Sequence, residues 1–322
     1  MTRKLALLTC LCLTASLLLA LAPPAQATLP GANGRIFFEQ GKNIRSITPE
    51  GTGNRLEARG NDFPGGPNLE DVSVSPNGKK IAVSTSLEIW VVTLANDRRQ
   101  NVTGNASGNL TLTHLRFPSW SPNGNQIAFQ AVKRQNGTDY ARIYRINADG
   151  TGIRQVIKLT TYWGDHETYL DWGSSNKIAY SADDDLYTIK PDGSQWTNLT
   201  DDLGVYAEPS WSPDATKIAV DHEVDGTGVN QMPGVVVLDA NTGAELTAVT
   251  GNQNGTEEVF DSPTFSPAGD FLAFDGYEAG KGFDFDIFKV VNAANGTMTD
   301  LNTLPAGGGD SYDPAWGVAP AP

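Results

Sequence analysis

The fold is decided by residues 117–129, which read FPSWSPNGNQIAF. Ser-Pro-Asn-Gly at the centre of this stretch is turn chemistry, because proline presets φ and Asn and Gly tolerate the conformations that follow. The residues on either side alternate in polarity or favour β-structure. The stretch therefore predicts a β-hairpin.

The same pattern recurs along the chain. Further copies read VSVSPNGKKIAV at 72–83, PSWSPDATKIAV at 209–220 and PTFSPAGDFLAF at 263–274. A degenerate copy occupies 170–180, and a truncated one, DPAW, occupies 313–316. The aligned residues, spaced 39 to 54 positions apart, are Val74, Trp120, Trp172, Trp211, Phe265 and Trp316. Repeats of this length predict a solenoid, a propeller or an array.

Each repeat has room for four strands. Alternating segments that end in Asp-Gly turns follow the hairpins, for example at 142–150 and 185–193, and short fourth strands come next. The chain starts on a second strand near 35–38 and ends on an orphan first strand at 313–316. We therefore predict an all-β, six-bladed β-propeller of four-stranded antiparallel blades, closed by pairing of the N- and C-terminal strands. The rival architecture, an open solenoid, would carry distinct caps at its ends.

The domain boundaries follow from composition. Residues 1–27 have the basic start, apolar run and Ala-x-Ala end of a secretory signal peptide, with a retained membrane anchor as the alternative. We assign residues 28–318 to the propeller and 319–322 to a disordered tail. We expect a periplasmic or extracellular protein, and no later stretch is apolar enough to span a bilayer.

Charge and cysteine content exclude several classes of function. Cys10 and Cys12 both lie in the predicted signal peptide, so the mature chain has no thiol for disulfides, redox chemistry or metal binding. The formal net charge of −14 disfavours nucleic acids and anionic lipids as partners. We expect a monomer.

The repeated pattern Pro-x-Trp-Ser-Pro-(Asn/Asp)-Gly-x-x-Ile-Ala-Phe resembles the WD40-like, PD40-type propeller repeat of the TolB family. The resemblance covers nearly all of the predicted mature chain and only the propeller domain of that family. It implies the propeller fold. Because TolB binds the lipoprotein Pal in the periplasm, it also implies a protein-binding role, although we expect no counterpart of the family's α/β domain in the few residues before the first blade. Prolyl oligopeptidases carry similar propellers, but this chain has no Gly-x-Ser-x-Gly elbow.

Carboxylates gather at the predicted loop-rich face, where first strands begin, as at Glu70 and Asp71, and where second strands end, as at Asp221 and Asp275. Binding residues usually collect on such a face, and converging carboxylates favour cations or basic peptides. For any single residue the alternative is a hydrated or turn-capping side chain. The predicted binding residues are Asp71, Glu167, Glu208, Asp261 and Asp313.

A calcium loop is one of two metal sites to consider. Asp221, Glu223 and Asp225 supply oxygens at alternate positions before a glycine, as in half of a Ca²⁺ loop. Met232 stands where such a loop needs a bidentate glutamate, so an ordinary acidic loop is the alternative. Calcium is the cofactor that this segment suggests.

The second metal site would use the histidines. His114, His166 and His222 are the only histidines in the chain, and three neutral imidazoles could hold Zn²⁺ or Mn²⁺ with an open fourth position. Some propeller polysaccharide lyases look like this in outline. Three unrelated surface histidines are the alternative.

Three functions remain open. The first is a non-catalytic scaffold that binds a protein or peptide, cationic or polar, through the acidic face. The second is a metal-assisted lyase or hydrolase that degrades polysaccharide. The third is a platform without a defined small ligand. The chain lacks His-Glu-x-x-His and phosphate-loop motifs, so we assign no catalytic residue and favour the scaffold.

Overall fold

The computed structural model describes residues 32–85, 87–104, 110–162, 168–201, 204–223, 234–249, 258–278, 289–292, 298–300 and 311–319. These residues form 24 β-strands and one short 3-10 helix, Gly60–Asp62. Within these ranges, no helix has the length and apolarity that crossing a membrane requires. The predicted signal peptide and residues 320–322 of the predicted tail lie outside the described residues, whereas the backbone N–H of Ala319 donates to the backbone oxygen of Ala32 at 3.0 Å.

Five four-stranded antiparallel blades each use four consecutive strands. Blade A contains β4 (Glu70–Val74), β5 (Lys80–Ser84), β6 (Ile89–Thr93) and β7 (Arg98–Asn101). Blade B contains β8 (Leu112–Trp120), β9 (Gln126–Gln135), β10 (Thr138–Asn147) and β11 (Arg154–Tyr162). Blade C contains β12 (Leu170–Trp172), β13 (Ile178–Ala182), β14 (Asp185–Ile189) and β15 (Thr197–Asn198).

Blades D and E are also each built from four consecutive strands. Blade D contains β16 (Val205–Trp211), β17 (Lys217–Glu223), β18 (Gly234–Asp239) and β19 (Glu245–Val249). Blade E contains β20 (Glu258–Phe265), β21 (Phe271–Glu278), β22 (Lys289–Asn292) and β23 (Met298–Asp300). The predicted all-β propeller of four-stranded antiparallel blades is confirmed.

A further four-stranded sheet, the composite sheet, is built from both ends of the chain. It contains β24 (Ser311–Val318), β1 (Asn33–Gln40), β2 (Asn43–Ile47) and β3 (Arg55–Arg59), in that order. β1 and β24 are antiparallel, and Ile36 lies opposite Trp316. The predicted pairing between the two chain ends is therefore present.

The innermost strands meet around a central channel. β24, β4, β8, β12, β16 and β20 contact one another in that order, and β20 contacts β24. A polar side chain of one innermost strand accepts a hydrogen bond from the backbone N–H of the aligned residue in the next. The five donor–acceptor pairs are Trp120–Ser73 (3.4 Å), Trp172–Ser119 (2.9 Å), Trp211–Asp171 (2.8 Å), Phe265–Ser210 (3.1 Å) and Trp316–Thr264 (3.3 Å).

The repeated tryptophans pack between neighbouring sheets. Trp120, Trp172, Trp211 and Trp316 are each 3–5% exposed. Trp120, for example, belongs to an apolar cluster with residues of blade A. These rings stabilise the contacts between sheets and are too buried to stack on a sugar.

The Ser-Pro-Asn-Gly turns form the end of the hairpins opposite the start of each first strand. Ser121 Oγ donates to Asn123 Oδ1 (2.9 Å) and accepts from the backbone N–H of Gln126 (2.8 Å). Gly124 adopts a φ of 68°, which glycine tolerates without steric cost. We call this the turn end of the propeller and the opposite end the mouth.

Candidate functional site: the acidic channel mouth

A repeated bulge shapes the mouth. In five innermost strands the register shifts at the residue three positions before the aligned residue. A bulge turns a side chain away from the regular alternation, and a positive φ is uncommon for residues other than glycine. The bulge residues, with their φ angles, are Asp71 (49°), Phe117 (53°), Glu208 (52°), Ser262 (52°) and Asp313 (51°). All five line one central cavity of about 180 Å³.

The second strand of each sheet adds a polar residue directly after an apolar triplet such as IFF at 36–38 or LAF at 272–274. These residues are Glu39, Ser84, Gln130, Ser181, Asp221 and Asp275. Three of them accept a hydrogen bond from a backbone N–H in the next sheet: Glu39 from Asp71, Gln130 from Thr168 (2.8 Å), and Asp275 from Asp313 (3.2 Å). Because the neutral Gln130 makes the same kind of contact, this role does not need a charge.

The mouth itself is strongly acidic. A cavity of about 340 Å³ is lined by six carboxylate residues: Glu39, Glu70, Glu208, Asp261, Asp275 and Asp313. Arg116 is the one basic residue in its described lining.

Arg116 is already engaged by carboxylates. Its Nε and Nη2 bind the two carboxylate oxygens of Asp71 at 2.8 and 3.1 Å, and Nε lies 3.5 Å from Glu70. One guanidinium cannot balance the remaining acidic side chains. The mouth therefore presents a negative field in a partly enclosed space, where such fields are strongest.

Three of these carboxylates converge closely. One oxygen each from Glu39, Asp71 and Asp313 lies within 4.8 Å of the others. The three residues come from β1, β4 and β24, so the group forms only where the chain ends meet blade A. Oxygen ligands in such a group suit hard cations such as Ca²⁺.

Burial and like charge shift the pKa of three mouth carboxyls upward. Burial raises the pKa of Glu208 and Asp275 well above its usual value, and the charge of Asp313 adds to both. Burial, then Asp313 and Asp71, do the same to the pKa of Glu39. Oε2 of Glu208 and Oδ1 of Asp275 are buried and accept no hydrogen bond from the described residues. A cation would satisfy these oxygens and oppose the shift.

The structure brings four of the five predicted binding residues to the mouth. Glu208, Asp261 and Asp313 line the acidic cavity, and Asp71 lines the adjoining central cavity. Glu167 lies outside the described residues. Whether these residues bind a partner stays a prediction.

The predicted binding residues do not cover the whole acidic lining. Glu70 and Asp275 belong to the predicted acidic face but were not chosen as binding residues, and Glu39 and Arg116 were not predicted there. The signal that could have found Glu39 is the polar residue that follows the apolar triplet of each second strand.

The predicted calcium loop has a different setting from the one expected. Asp221 and Glu223 lie within β17, where Asp221 pairs with Val235 and Glu223 with Val205. Asp225 lies outside the described residues. Asp221 instead adds its charge to the surroundings of Glu208.

The three predicted histidine ligands are not brought together by what the structure describes. His114 is exposed in β8, and His222 in β17 stacks on Tyr206 with ring centroids 4.3 Å apart. His166 lies outside the described residues. Among described residues, the group of three potential metal ligands at the mouth contains neither His114 nor His222.

Fold and site together define the class of protein: an antiparallel β-propeller whose central channel opens into a carboxylate-rich mouth. No family model matches the chain. A segment of 137 residues is 28% identical to the Protein TolB homolog of Chlorobium luteolum. The segment makes up 39% of this chain and 27% of that relative. The matched region thus spans about a quarter of the relative's length.

Solved structures share the fold. The chain is similar to TolB from Acinetobacter baumannii, with a TM-score of 0.65 and 18% identity over 89% of this chain and 67% of that one. It is also similar to oligogalacturonate lyase in complex with manganese, with a TM-score of 0.54 and 12% identity over 80% of this chain and 69% of that one. At such identities the structures show the fold alone. The chain is thus similar to TolB in sequence over the matched segment and in its propeller fold, as its repeats predicted.

Proposed function

We propose that this chain is an exported, TolB-like scaffold without catalytic activity, which binds a positively charged segment of a partner protein at its acidic mouth. The observation that carries the proposal is the cavity lined by six carboxylate residues and one arginine. In this proposal the composite sheet is the sixth blade of a closed ring, so the mouth is framed on all sides.

The charge of the mouth supports a binding role because the fold does not need it. Gln130 accepts the backbone hydrogen bond that Glu39 and Asp275 accept elsewhere. Burying several carboxylates close together costs free energy unless a cation offsets it. Lysine and arginine side chains of a partner would supply that positive charge and would associate faster at low salt.

A hard divalent cation is the second ligand of the same mouth in this proposal. Glu39, Asp71 and Asp313 would hold it, with Arg116 displaced from Asp71, rather than the segment that begins at Asp221, because their oxygens already lie within 4.8 Å of one another. Calcium fits best, since it accepts several carboxylate oxygens in a flexible geometry.

Export rests on the secretory pattern of residues 1–27, and a monomer remains our expectation. The metal-assisted polysaccharide enzyme is not better supported. The likeness to oligogalacturonate lyase is one of fold. Of the histidines, His114 is exposed and His222 stacks on a tyrosine.

The proposal is tested by measuring the binding of a fluorescent, lysine-rich peptide to the mature chain at low ionic strength. The double variant Glu208→Gln with Asp261→Asn should weaken binding roughly tenfold, about 1.4 kcal/mol. The matched control is Asp149→Asn with Asp192→Asn, which removes the same charge from exposed residues at the turn end. Equal weakening by both double variants would show that the mouth is not the binding surface.

A further inference from the structure

A groove of about 360 Å³ lies between blades B and C at the turn end, opposite the mouth. It forms where the Ser-Pro-Asn-Gly turn of blade B meets the Pro-Asp-Gly turn that follows β14 of blade C. Its lining includes two basic residues, Arg145 and Lys190, and one acidic residue, Asp192. The groove therefore has an excess of positive charge, in a chain whose formal net charge is −14.

The two basic side chains have hydrogen-bond donors to spare. Arg145 Nε donates to the backbone oxygen of Pro191 at 2.8 Å, but its Nη1 and Nη2 make no hydrogen bond or ion pair with the described residues. The ammonium of Lys190 makes none with them either. Asp192 neutralises neither one directly, since it forms no ion pair among the described residues and its Oδ1 accepts from the backbone and hydroxyl of Ser194 at 2.9 and 2.7 Å.

A second arginine beside the groove is an independent indication of an anion. Arg154 on β11 lies directly opposite Arg145 on β10. Arg154 is exposed and makes no side-chain hydrogen bond or ion pair with the described residues. Like charges directly opposite each other across a strand pair are destabilising. An anion bound next to Arg145 would offset this repulsion.

The packing of the blades does not need the charge of Arg145. The Asp-Gly turns after the third strands of blades B and C both lie against the preceding blade, because a Cβ on Gly150 or Gly193 would meet a backbone oxygen there at 3.0 or 2.9 Å. At the junction of blades A and B, the neutral amide of Gln100 donates to the turn oxygen of Asp149 at 2.9 Å. An amide thus suffices for a contact that Arg145 makes with a guanidinium between blades B and C.

Two side-chain amides add neutral donors to the groove. Asn123 Oδ1 is engaged by the hydroxyl of Ser121 at 2.9 Å, and Asn176 Oδ1 accepts from Trp172 Nε1 at 3.0 Å. The Nδ2 groups of both asparagines make no hydrogen bond with the described residues. Both asparagines line the groove, so it offers amide donors beside the guanidinium and the ammonium. This set of donors suits the oxygens of a carboxylate or a phosphate.

We propose that the groove between blades B and C binds a small organic anion, whose carboxylate or phosphate group lies between Arg145 and Lys190. The planar fork of an arginine binds either group through two parallel hydrogen bonds. The volume of the groove is in the range of small-molecule sites, about 300–1,000 Å³, so the ligand is larger than a single oxyanion. This site goes beyond the proposed scaffold function and lies at the opposite end of the propeller from the acidic mouth.

NMR titration of the complete mature chain at low ionic strength tests the site. Glucose 6-phosphate and glucuronate are the two anionic probes, and glucose is their neutral reference. The signals to follow are the indole N–H of Trp172 and the side-chain amide of Asn176, which are hydrogen-bonded to each other. At least one anionic probe should shift them with a dissociation constant at or below about 1 mM, whereas glucose should not. The tighter of the two anions identifies the preferred group.

Variants separate this site from general attraction of anions. Lys190→Gln should weaken binding about tenfold, since it removes a charged hydrogen-bond donor. Lys79→Gln removes the same charge from an exposed residue at the turn end of blade A and should leave binding unchanged. Asp192→Asn keeps an acceptor for Ser194 but removes the negative charge, so it should tighten binding about threefold. Should Arg145→Gln, which also removes the contact to Pro191, fail to fold, Lys190→Gln decides the matter.

Each contrary result has a distinct meaning. No saturable shift with either anion up to about 20 mM would overturn the site. Equal weakening by Lys190→Gln and Lys79→Gln would mean that the anions bind without a defined site, and an equal shift with glucose would mean that the oxyanion is not recognised. None of these results bears on the lysine-rich peptide, whose proposed binding residues Glu208 and Asp261 line the mouth.

Discussion

Among the described residues that line the mouth, blades B and C contribute Arg116 and Tyr169 but no carboxylate, and the other four sheets contribute all six carboxylate residues. We call these the neutral half and the acidic half. The neutral half belongs to blades B and C, where Phe117 occupies the bulge and Gln130 accepts the amide of the next sheet. In the acidic half, Asp313 occupies the bulge and Asp275 accepts the corresponding amide. The comparison shows that a bulge and an acceptor occur in both halves, and that neither position requires a charge.

The two halves also differ in how they are filled. In the neutral half, Phe117 packs on Tyr169 with ring centroids 4.3 Å apart, and the Arg116 guanidinium lies 4.9 Å from the centroid of Phe117. In the acidic half, Glu208 and Asp275 keep buried carboxylate oxygens without a hydrogen-bond partner among the described residues. The neutral half is thus filled by packed side chains, whereas the acidic half keeps carboxylate oxygens that a positive ligand could satisfy.

The largest effect is expected from placing an acid in the neutral half. Gln130 is 1% exposed, so Gln130→Glu would bury a carboxylate, and the guanidinium of its strand partner Arg116 is already bound to Asp71. We expect a loss of about 3 kcal/mol in the free energy of unfolding at pH 8, measured by urea denaturation. At pH 5 the introduced carboxyl would be largely protonated, and much of the loss should be recovered. A loss below about 0.5 kcal/mol at pH 8, within the range of ordinary surface substitutions, would mean that the halves do not differ in their tolerance of charge.

A pair of substitutions in the acidic half separates the acceptor from the charge. Glu39→Ala and Glu39→Gln both remove the charge, but only glutamine keeps an oxygen for the backbone N–H of Asp71. Leaving that donor unsatisfied costs about 1–3 kcal/mol, so we expect the alanine variant to be about 2 kcal/mol less stable than the glutamine variant. The measurement is urea denaturation in chelator. Equal stabilities would contradict the assignment of Glu39 as an acceptor.

The repeats made the fold and the bulge carboxylates predictable. Asp71, Glu208 and Asp313 stand at one aligned position, so they could be read directly from the pattern. Asp275 could be placed on the acidic face from its position at the end of a second strand, but its aligned counterparts include serine and glutamine, so the pattern did not mark it as a binding residue. The closeness of Glu39 to Asp313 depends on pairing between the chain ends, and no local pattern reports which side chains such pairing brings together.

The turn end provides a contrast for the pH dependence of the mouth. Asp149 is exposed there and accepts hydrogen bonds from the side chain and backbone of Thr151, which lower its pKa. A carboxyl with a lowered pKa stabilises the fold above its unfolded pKa, and that stability is lost as pH falls through the folded value. The turn end should therefore weaken only in strong acid.

The smallest expected effect is the pH dependence of wild-type stability, and its sign comes from the mouth. The pKa values of Glu39, Glu208 and Asp275 are raised, so the folded state binds their protons more tightly than the unfolded chain does. Stability from these groups is fully present below their unfolded pKa and is lost as pH rises through the raised values. Each tenfold difference in proton affinity between the folded and unfolded states corresponds to about 1.4 kcal/mol.

Urea denaturation in chelator should therefore show wild-type stability falling from pH 5 to pH 8, with a shallower fall for Asp275→Asn. The variant falls less steeply because one of the three carboxyls with a raised pKa has been removed. Stability that is flat or rises over this interval in the wild type would mean that the mouth carboxyls are as well solvated as those at the turn end. The contrast between the acidic and neutral halves would then lose its energetic basis.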